Sequence, residues 1–313
     1  MGKHSPVRGS RAYWHRSRAA RLVPRMRSFK DFPIPGLGGY KVGMTHAIIV
    51  DDSEAPTKGQ EVIRSITIIE IPPILVHSIV YLKKEQFGSR VLGEEVFKPS
   101  KELSKYFEVK EAKGLSDELK KQATDVRLHL ATMPWKTGLK KTYDLFEISL
   151  GGANVQEKIE KAKNMLGKEI PLTDVFNEGD YIDVVGVTKG KGWQGVDKRF
   201  AVALNPHKAT KARRHGGSLG GETQAKVEYT VPRAGQMGFH RRTERNKRIL
   251  LISKEAEKVT PKGGFVNGKS LKGEYIAVEG SISGPTLRFV RLNKSNKASR
   301  KTELKMISTD ATN

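Results

Sequence analysis

The sequence contains no cysteine among its 313 residues. This absence excludes a disulfide framework, a thiolate zinc site and a thiol nucleophile, and it fits a reducing compartment. Long apolar runs are also missing. The longest candidate, residues 71–82, is interrupted by two prolines and a histidine, and it is shorter than the roughly 18 residues of a membrane span. We therefore expect no membrane-spanning helix.

Acidic residues are scarce in two segments. Residues 1–30 contain nine Lys and Arg and no acid, and residues 189–248 contain fifteen against four. Residues 31–188 carry a net charge of −3, although the whole chain carries +23. This asymmetry predicts polyanion binding, because each cation that neutralises a phosphate releases a condensed counterion. The alternative, a solvated surface, usually mixes charges of both signs. With 37% hydrophobic residues, the chain can still bury a core.

The basic N-terminal segment has two interpretations. Its acid-free, serine-containing composition is that of a mitochondrial transit peptide. However, Pro6, Gly9 and Pro24 interrupt any long amphipathic helix, and no apolar face is evident. We favour a basic arm that becomes ordered on RNA.

Short β-branched segments separated by turns predict a chain rich in strands. They lie at 40–50, 61–70, 72–82, 143–150, 180–188, 247–253, 274–280 and 286–292. Asn154 followed by Glu157 predicts a helix N-terminus, and Gly167 predicts its end. Residues 83–140, rich in Lys and Glu, predict an α-containing insertion with Ser116 as an N-cap. The pattern is α+β, mainly β, and favours a small closed β-barrel with additions.

Gly190, Gly192 and Gly195 fit the G-x-G-x-x-G pattern directly after a predicted strand. A dinucleotide-binding fold would continue with a long helix and an acid about 20 residues later. Here the candidate helix, 196–204, ends before a proline, and His215 stands in the place of the acid. We expect instead that these glycines let the backbone approach a phosphate closely.

Residues 205–222 form a cationic stem with a glycine-rich end. This composition predicts a loop that penetrates RNA, because a mere surface linker has little reason to carry so many cations. Trp14, Trp193, Tyr229 and Phe239 lie among the basic residues. Such rings can stack on unpaired bases, or they can pack locally.

His207, His215 and His240 raise an alternative function, RNA processing by general acid–base catalysis. The two basic segments hold only four acids, however, and no histidine has a partner at metal-ligand spacing. A second alternative, an NAD-binding oxidoreductase, depends on the glycine pattern alone. We therefore predict no enzymatic activity, no metal and no cofactor.

The candidate RNA-binding residues are most of the cations and histidines of the two basic segments, together with two tryptophans and one glutamine. They are Lys3, Arg8, Arg11, Trp14, His15, Arg16, Arg18, Arg21, Arg25, Arg27, Lys189, Lys191, Trp193, Lys198, Arg199, His207, Lys208, Lys211, Arg213, Arg214, His215, Arg233, Gln236, His240, Arg241, Arg242, Arg245, Lys247 and Arg248.

Residues 176–199 resemble the signature of the ribosomal protein L-three family, a universal family of the large ribosomal subunit. The matching residues are Phe176, Asp183, Gly186, Val187, Thr188, Lys189, Gly190, Lys191, Gly192, Gly195 and Arg199. Three further segments, 41–45, 233–238 and 280–285, are similar to other parts of the family's sequence.

The resemblance implies a six-stranded β-barrel of the translation-protein type with an inserted α/β lobe, a basic N-terminal extension and a long, basic, Gly-rich central loop. The implied domains are an N-terminal extension at 1–35, a barrel at 36–82 and 143–292, a lobe at 83–142, a central extension at 189–248 and a basic tail at 293–313.

The resemblance also implies a function. Members are structural constituents of the cytoplasmic ribosome that bind 23S rRNA near its 3′ end, nucleate large-subunit assembly and contact neighbouring ribosomal proteins. By this resemblance, residues 205–232 extend toward the peptidyl-transferase centre, with Gly220, Gly221 and Glu222 at the tip. The lobe is similar to archaeal and eukaryotic members, and we expect an archaeal origin. Eukaryotic members carry a tryptophan at the tip, and some carry a modified histidine where Thr210 stands, so their tip mechanism does not transfer.

Overall fold

A computed structural model describes residues 17–26, 32–101, 103–107, 120, 122–152, 154–209, 213–221 and 225–309. Strands dominate these residues, and the prediction of an α+β, mainly β chain is confirmed. The strands are β1 Gly36–Val50, β2 Glu61–Ile71, β3 Ile74–Glu85, β4 Gly88–Val96, β5 Asp125–Thr132, β6 Leu145–Ser149, β7 Glu169–Ile170, β8 Tyr181–Val187, β9 Gly190–Gln194, β10 Gly235–Gly238, β11 Arg241–Ser253, β12 Glu274–Glu279, β13 Phe289–Lys294 and β14 Leu304–Ile307. The α-helices are α1 Val155–Met165 and α2 Val196–Phe200.

The chain divides into two compact units. The first comprises the described residues of 1–21 and 187–241, and is called the central unit. The second comprises the described residues of 22–186 and 242–313, and is called the scaffold unit.

The larger sheet of the scaffold unit has the strand order β13-β8-β11-β12-β2-β1-β14. Its first and penultimate strands also pair with each other, since Gly36 of β1 lies opposite Asn293 of β13 and Tyr40 opposite Phe289. The pairing path through β1, β2, β12, β11, β8 and β13 therefore returns to its start. Apolar side chains of this sheet are fully buried in one continuous core, among them Tyr40, Ile69, Val184, Ile276 and Leu292.

The second sheet of the scaffold unit has the order β4-β3-β5-β6, with β7 paired to β3. Its strands β4 and β5 fall within 83–140, where the sequence predicted an α-containing insertion. The described residues of this segment form mainly strands and one short 3-10 turn, and Lys120 is helical. Residues 108–119 lie outside the described residues, so the α-containing insertion stays a prediction. Five of the Lys and Glu residues that suggested a helix lie instead on strands β3 and β4; they are Lys83, Lys84, Glu85, Glu94 and Glu95. The predicted N-cap, Ser116, lies outside the described residues.

Helix α1 confirms the helix predicted after Asn154. Ile159 and Ala162 are buried in the core, and Gly167 follows the helix with φ of 75°, the left-handed conformation expected at a helix end. The predicted capping box does not form. Asn154 makes no side-chain capping bond, because its Nδ2 donates to Oε1 of Glu157 at 3.2 Å instead.

A buried histidine makes the second sheet sensitive to acid. His77 stacks on Phe107 at 5.7 Å between ring centroids and meets the edge of Tyr143 at 6.4 Å. Burial lowers the pKa of His77 below its usual value, while neighbouring Glu94 opposes this and His129 adds to it. As pH falls through about 6.5, His77 therefore binds a proton in the unfolded chain but not in the folded chain, and the free energy of unfolding decreases.

We expect the midpoint of thermal unfolding to fall between pH 7.5 and pH 5.5, and His77→Leu to flatten this dependence. The matched control is His207→Leu, since His207 is exposed. Equal pH slopes for His77→Leu and the unsubstituted chain would contradict the assignment.

Candidate nucleic-acid interface

The central unit is built on a two-stranded ribbon. Strand β9 pairs antiparallel with β10, with Trp193 opposite Gln236 and Gly190 opposite Gly238. Gly238 has φ of 73°, and a Cβ atom there would overlap the carbonyl oxygen of Lys189. A residue with a side chain would therefore force the two strands apart. The basic segment 189–248 therefore contains a regular two-stranded ribbon.

The glycine pattern at 190–195 does not open a long helix. Its first five residues form β9, and helix α2 ends at Phe200, where Ala201 takes the left-handed conformation with φ of 54°. The predicted helix over 196–204 is therefore four residues too long. A five-residue helix does not provide the helix–sheet packing of a dinucleotide-binding fold.

Arg199 holds the ribbon together. Its Nε donates to the carbonyl oxygen of Gln236 at 3.1 Å and its Nη1 to that of Arg233 at 2.9 Å. The guanidinium also lies over the ring of Phe200, 5.0 Å from the centroid. The sequence predicts that Arg199 binds RNA; in the structure its Nε and Nη1 donate to backbone carbonyls just before and just after the start of β10.

We expect Arg199→Lys to loosen the ribbon, because an ammonium group cannot reproduce the planar, two-pronged contact. Loss of one charge-assisted bond, about 1.5 kcal/mol, corresponds to roughly tenfold faster amide exchange in β9 and β10. Hydrogen–deuterium exchange measures this directly. Lys198→Ala, which removes an exposed neighbour, is the control. Unchanged amide exchange rates in the Arg199 variant would show that the two guanidinium hydrogen bonds do not stabilise the ribbon.

The structure brings the two basic segments together. The N–H of Ala19 donates to the carbonyl oxygen of Phe239 at 2.7 Å, and Nδ1 of His240 donates to that of Ser17 at 2.8 Å. The backbone of His240 is fixed in turn by Thr188, whose N–H donates to its carbonyl oxygen at 2.9 Å. His240 is only 5% exposed. Its ring therefore positions the N-terminal segment, and the expectation of a surface RNA contact is corrected.

Positive charge dominates the described part of the central unit. It contains twelve Lys and Arg against two carboxylates, Asp197 and Glu228. Asp197 is itself neutralised, with its Oδ2 3.1 Å from Nη1 of Arg214. The exposed cations are Arg18, Arg21, Lys189, Lys191, Lys198, Lys208, Arg213, Arg214, Lys226, Arg233 and Arg241. Lys226 is exposed as well, although its position between Glu222 and Glu228 and outside the cationic stem gives it no clear signal in the sequence.

Two aromatic rings stand exposed among these cations. Trp193 is 76% exposed and Tyr229 is 71% exposed. Neither ring is buried in a core, so both roles predicted for them, stacking on bases and local contact, stay predictions. Phe239 is half-buried. Trp14 lies outside the described residues.

The glycine-rich loop is closed at its base and thin at its end. The N–H of Asn205 donates to the carbonyl oxygen of Arg213 at 3.0 Å. His207, Lys208 and His215 are exposed. The glycines beyond them are exposed as well: Gly216, Gly217, Gly220 and Gly221. Such a segment offers cations and backbone groups without bulky side chains.

The remaining predicted residues fall into two groups. Arg25, Arg242, Arg245 and Lys247 lie in the scaffold unit, the last with its Nζ 3.4 Å from Oε2 of Glu244. Those outside the described residues are Lys3, Arg8, Arg11, Trp14, His15, Arg16, Arg27, Lys211 and Glu222.

The surroundings of Arg248 correct the prediction that this residue binds RNA. Its side chain is 7% exposed and holds Oδ2 of Asp52 at 2.8 Å and Oε2 of Glu279 at 3.1 Å. Strand β11 begins at Arg241, six residues before the start of the strand predicted at 247–253. The guanidinium of Arg248 stabilises the sheet that contains β11 and is not presented to a ligand.

Within the described residues, no group of three His, Asp or Glu side chains could hold a metal ion. Over the same part of the chain, no helix is long and apolar enough to cross a membrane.

Comparison with known proteins agrees with the resemblance seen in the sequence. The family model described as Ribosomal protein L3 matches residues 2–311. The chain is 42% identical over 303 residues to the large ribosomal subunit protein uL3 of Methanopyrus kandleri, covering 92% of this chain and 84% of that protein. It is 39% identical over 316 residues to the protein of the same name from Methanobrevibacter smithii, covering 96% and 94%. For the Archaeoglobus fulgidus protein of that name, identity is 39% over 308 residues, covering 93% and 92%. These archaeal relatives and the family match across nearly the whole length establish that the chain belongs to the Ribosomal protein L3 family.

Proposed function

We propose that this chain is a structural constituent of the large (50S) ribosomal subunit that binds 23S rRNA directly. The observation that carries the proposal is the central unit, where exposed cations surround a ribbon stabilised by backbone hydrogen bonds. Family membership agrees with it, since the archaeal relatives are named as large-subunit proteins. As a ribosomal component the protein works in the cytoplasm.

The physical basis is counterion release. Each Lys or Arg that neutralises a phosphate releases condensed ions, so affinity should fall steeply as salt concentration rises. Recognition is mostly of RNA shape and backbone, because double-stranded RNA presents its base edges poorly to side chains. The exposed rings of Trp193 and Tyr229 add stacking on unpaired bases.

The finer features extend this proposal. We propose binding near the 3′ end of the rRNA, nucleation of subunit assembly and contact with neighbouring large-subunit proteins. Residues 205–232 extend toward the peptidyl-transferase centre. The proposed architecture is a barrel of the translation-protein type at 36–82 and 143–292, into which the central extension at 189–248 is inserted, with a lobe at 83–142.

Catalysis is not part of the proposal. The alternative function, RNA processing, required basic-segment histidines that can exchange protons with a substrate. The buried ring of His240 is engaged with the carbonyl oxygen of Ser17. His207 and His215 are exposed among cations, and exposed histidines beside cations fit contact with phosphate equally well.

Crosslinking in native cells tests the proposal. We expect crosslinks from residues 17–21 and 187–241 to concentrate near the 3′ end of the large-subunit rRNA and around the peptidyl-transferase centre. Crosslinks scattered over messenger and small RNAs would contradict the ribosomal assignment. They would leave the electrostatic interpretation standing.

A further inference from the structure

An exposed phenylalanine marks the tip of a hairpin in the scaffold unit. Strands β3 and β4 pair up to Glu85 opposite Gly88, so that Gln86 and Phe87 are the two turn residues. The ring of Phe87 is 96% exposed. It contributes almost no apolar burial to the fold, so its whole face is accessible to a partner.

The same hairpin carries cations placed against one another. Lys83 lies directly opposite Arg90, and like charges in this position destabilise a strand pair. Compensation within the chain is weak. Nη1 of Arg90 is 3.9 Å from Oε1 of Glu85, and Nζ of Lys83 is 3.5 Å from the amide oxygen of Gln122.

A third cation completes the group. Lys84 is exposed and forms no ion pair with any residue that the structure describes. Its strand partner, Ser89, is neutral. Successive side chains of a strand point to opposite faces, so Lys84 lies on one face of the hairpin and the pair Lys83 and Arg90 on the other. The exposed ring at the turn therefore has cations on both faces beside it, and a bound polyanion would relieve the repulsion between Lys83 and Arg90.

The neighbours of the ring indicate which partner it fits. Aromatic anchors of protein–protein interfaces lie within well-packed, largely apolar centres. Here the residues beside Phe87 are Gln86, Gly88 and Ser89, all exposed and none of them a large apolar residue. An unpaired nucleotide matches the site better, since its base offers a flat face to the ring and its phosphates offer charge to the lysines.

We propose that Phe87 stacks on an unpaired base of RNA while Lys83, Lys84 and Arg90 neutralise the flanking phosphates. The inference rests on the proposed function, because it takes rRNA to be the partner. It adds a binding site in a different unit from the ribbon, made of residues outside both basic segments.

Binding of the full chain to purified large-subunit rRNA at 0.15 M salt tests the inference. Phe87→Ala is expected to weaken binding about tenfold, within the range measured for loss of one base–aromatic stack. Phe87→Trp should retain the affinity. Phe87→Leu should bind as weakly as Phe87→Ala, because leucine is apolar but has no π face. The control is Val266→Ala, which removes a side chain that is 65% exposed outside the hairpin.

The salt dependence of binding separates the contribution of the Phe87 ring from that of the cations. Phe87→Ala should leave the log–log salt slope unchanged. The double variant Lys84→Ala and Arg90→Ala should reduce its magnitude by about 1.5, since each contact to single-stranded phosphate contributes about 0.7. Because the ring is exposed, all Phe87 variants should unfold at the temperature of the unsubstituted chain.

Three outcomes would overturn the inference. Phe87→Ala could bind as tightly as the unsubstituted chain, or a lowered unfolding temperature could show that the ring packs within the fold. Retained affinity in Phe87→Leu would point to an apolar pocket and so to a protein partner. Failure of the unsubstituted chain to bind rRNA at all is a separate result, and it would remove the proposed function.

Discussion

A variant in which four exposed lysines of the central unit are replaced by alanine is expected to bind large-subunit rRNA about a thousandfold less tightly near 0.1 M salt. The substituted residues are Lys189, Lys191, Lys198 and Lys208. None forms an ion pair with a described residue, so their removal should leave the fold intact. Each lost phosphate contact should also lower the magnitude of the log–log salt slope by about 0.7 to 0.9.

A matched variant separates the effect of where the lysines lie from the effect of net charge on affinity. Four exposed lysines of the scaffold unit, replaced together, change the total charge equally; they are Lys58, Lys98, Lys161 and Lys163. Filter binding or fluorescence anisotropy across a salt series gives both slopes. We expect a large loss only for the central-unit variant. Equal losses in the two variants would mean that overall charge, and not this surface, determines affinity.

Replacing Arg248 by alanine should lower the free energy of unfolding by about 3 to 5 kcal/mol, the usual effect of removing one partner from a buried ion pair. The substitution leaves Asp52 and Glu279 without their shared cation. It also removes the contact of 2.5 Å with Oγ1 of Thr302, which ties the segment before β14 to β11. Urea unfolding at pH 7 measures the loss.

The second cation at Asp52 provides the control. Arg300 also approaches Asp52, with its Nε 2.7 Å from Oδ2, but its side chain is 51% exposed. Arg300→Ala should therefore cost less than about 1 kcal/mol. Burial raises the pKa of Asp52, but hydrogen bonding and charge from Arg248 outweigh it and hold that pKa below its usual value.

The sign of this shift gives a pH test. A carboxyl group whose pKa is lowered on folding stabilises the chain above its unfolded pKa, and this stability is lost as pH falls through the folded value. The difference between Arg248→Ala and the unsubstituted chain should thus shrink below about pH 4. A difference independent of pH would assign the effect to packing.

The sequence predicted those strands whose apolar residues follow a strand pattern. Segments 40–50, 61–70 and 274–280 correspond to β1, β2 and β12. Strands β4 and β5 were missed because they lie within 83–140, where the overall Lys and Glu content of the segment indicated helix, and β4 itself has no clear apolar alternation. Strand β14 was missed because four residues in a basic tail carry too little periodicity.

The charge pattern of the sequence predicted where the candidate interface lies, but not which of its cations are exposed and which stabilise the fold. Lys189 and Lys191 are exposed as expected, whereas Arg199 and Arg248 serve the fold. No local pattern distinguishes these cases, because the partners of Arg248 lie 196 and 31 residues away in sequence. Phe87 was passed over since a single aromatic residue in a polar segment carries no periodic signal. Its exposure becomes evident only once the turn is known.

The pairing of β1 with β13 has a consequence for the timing of synthesis. Residues 36–40 find these partners only after residues 289–293 have been made. At about 5 to 20 residues per second, the first strand waits roughly ten to fifty seconds for them. Residues 187–241, with their exposed cations, are complete before that pairing can form. A nascent chain can therefore meet an anionic partner while its own first strand still has an open edge, so binding and strand closure compete in time.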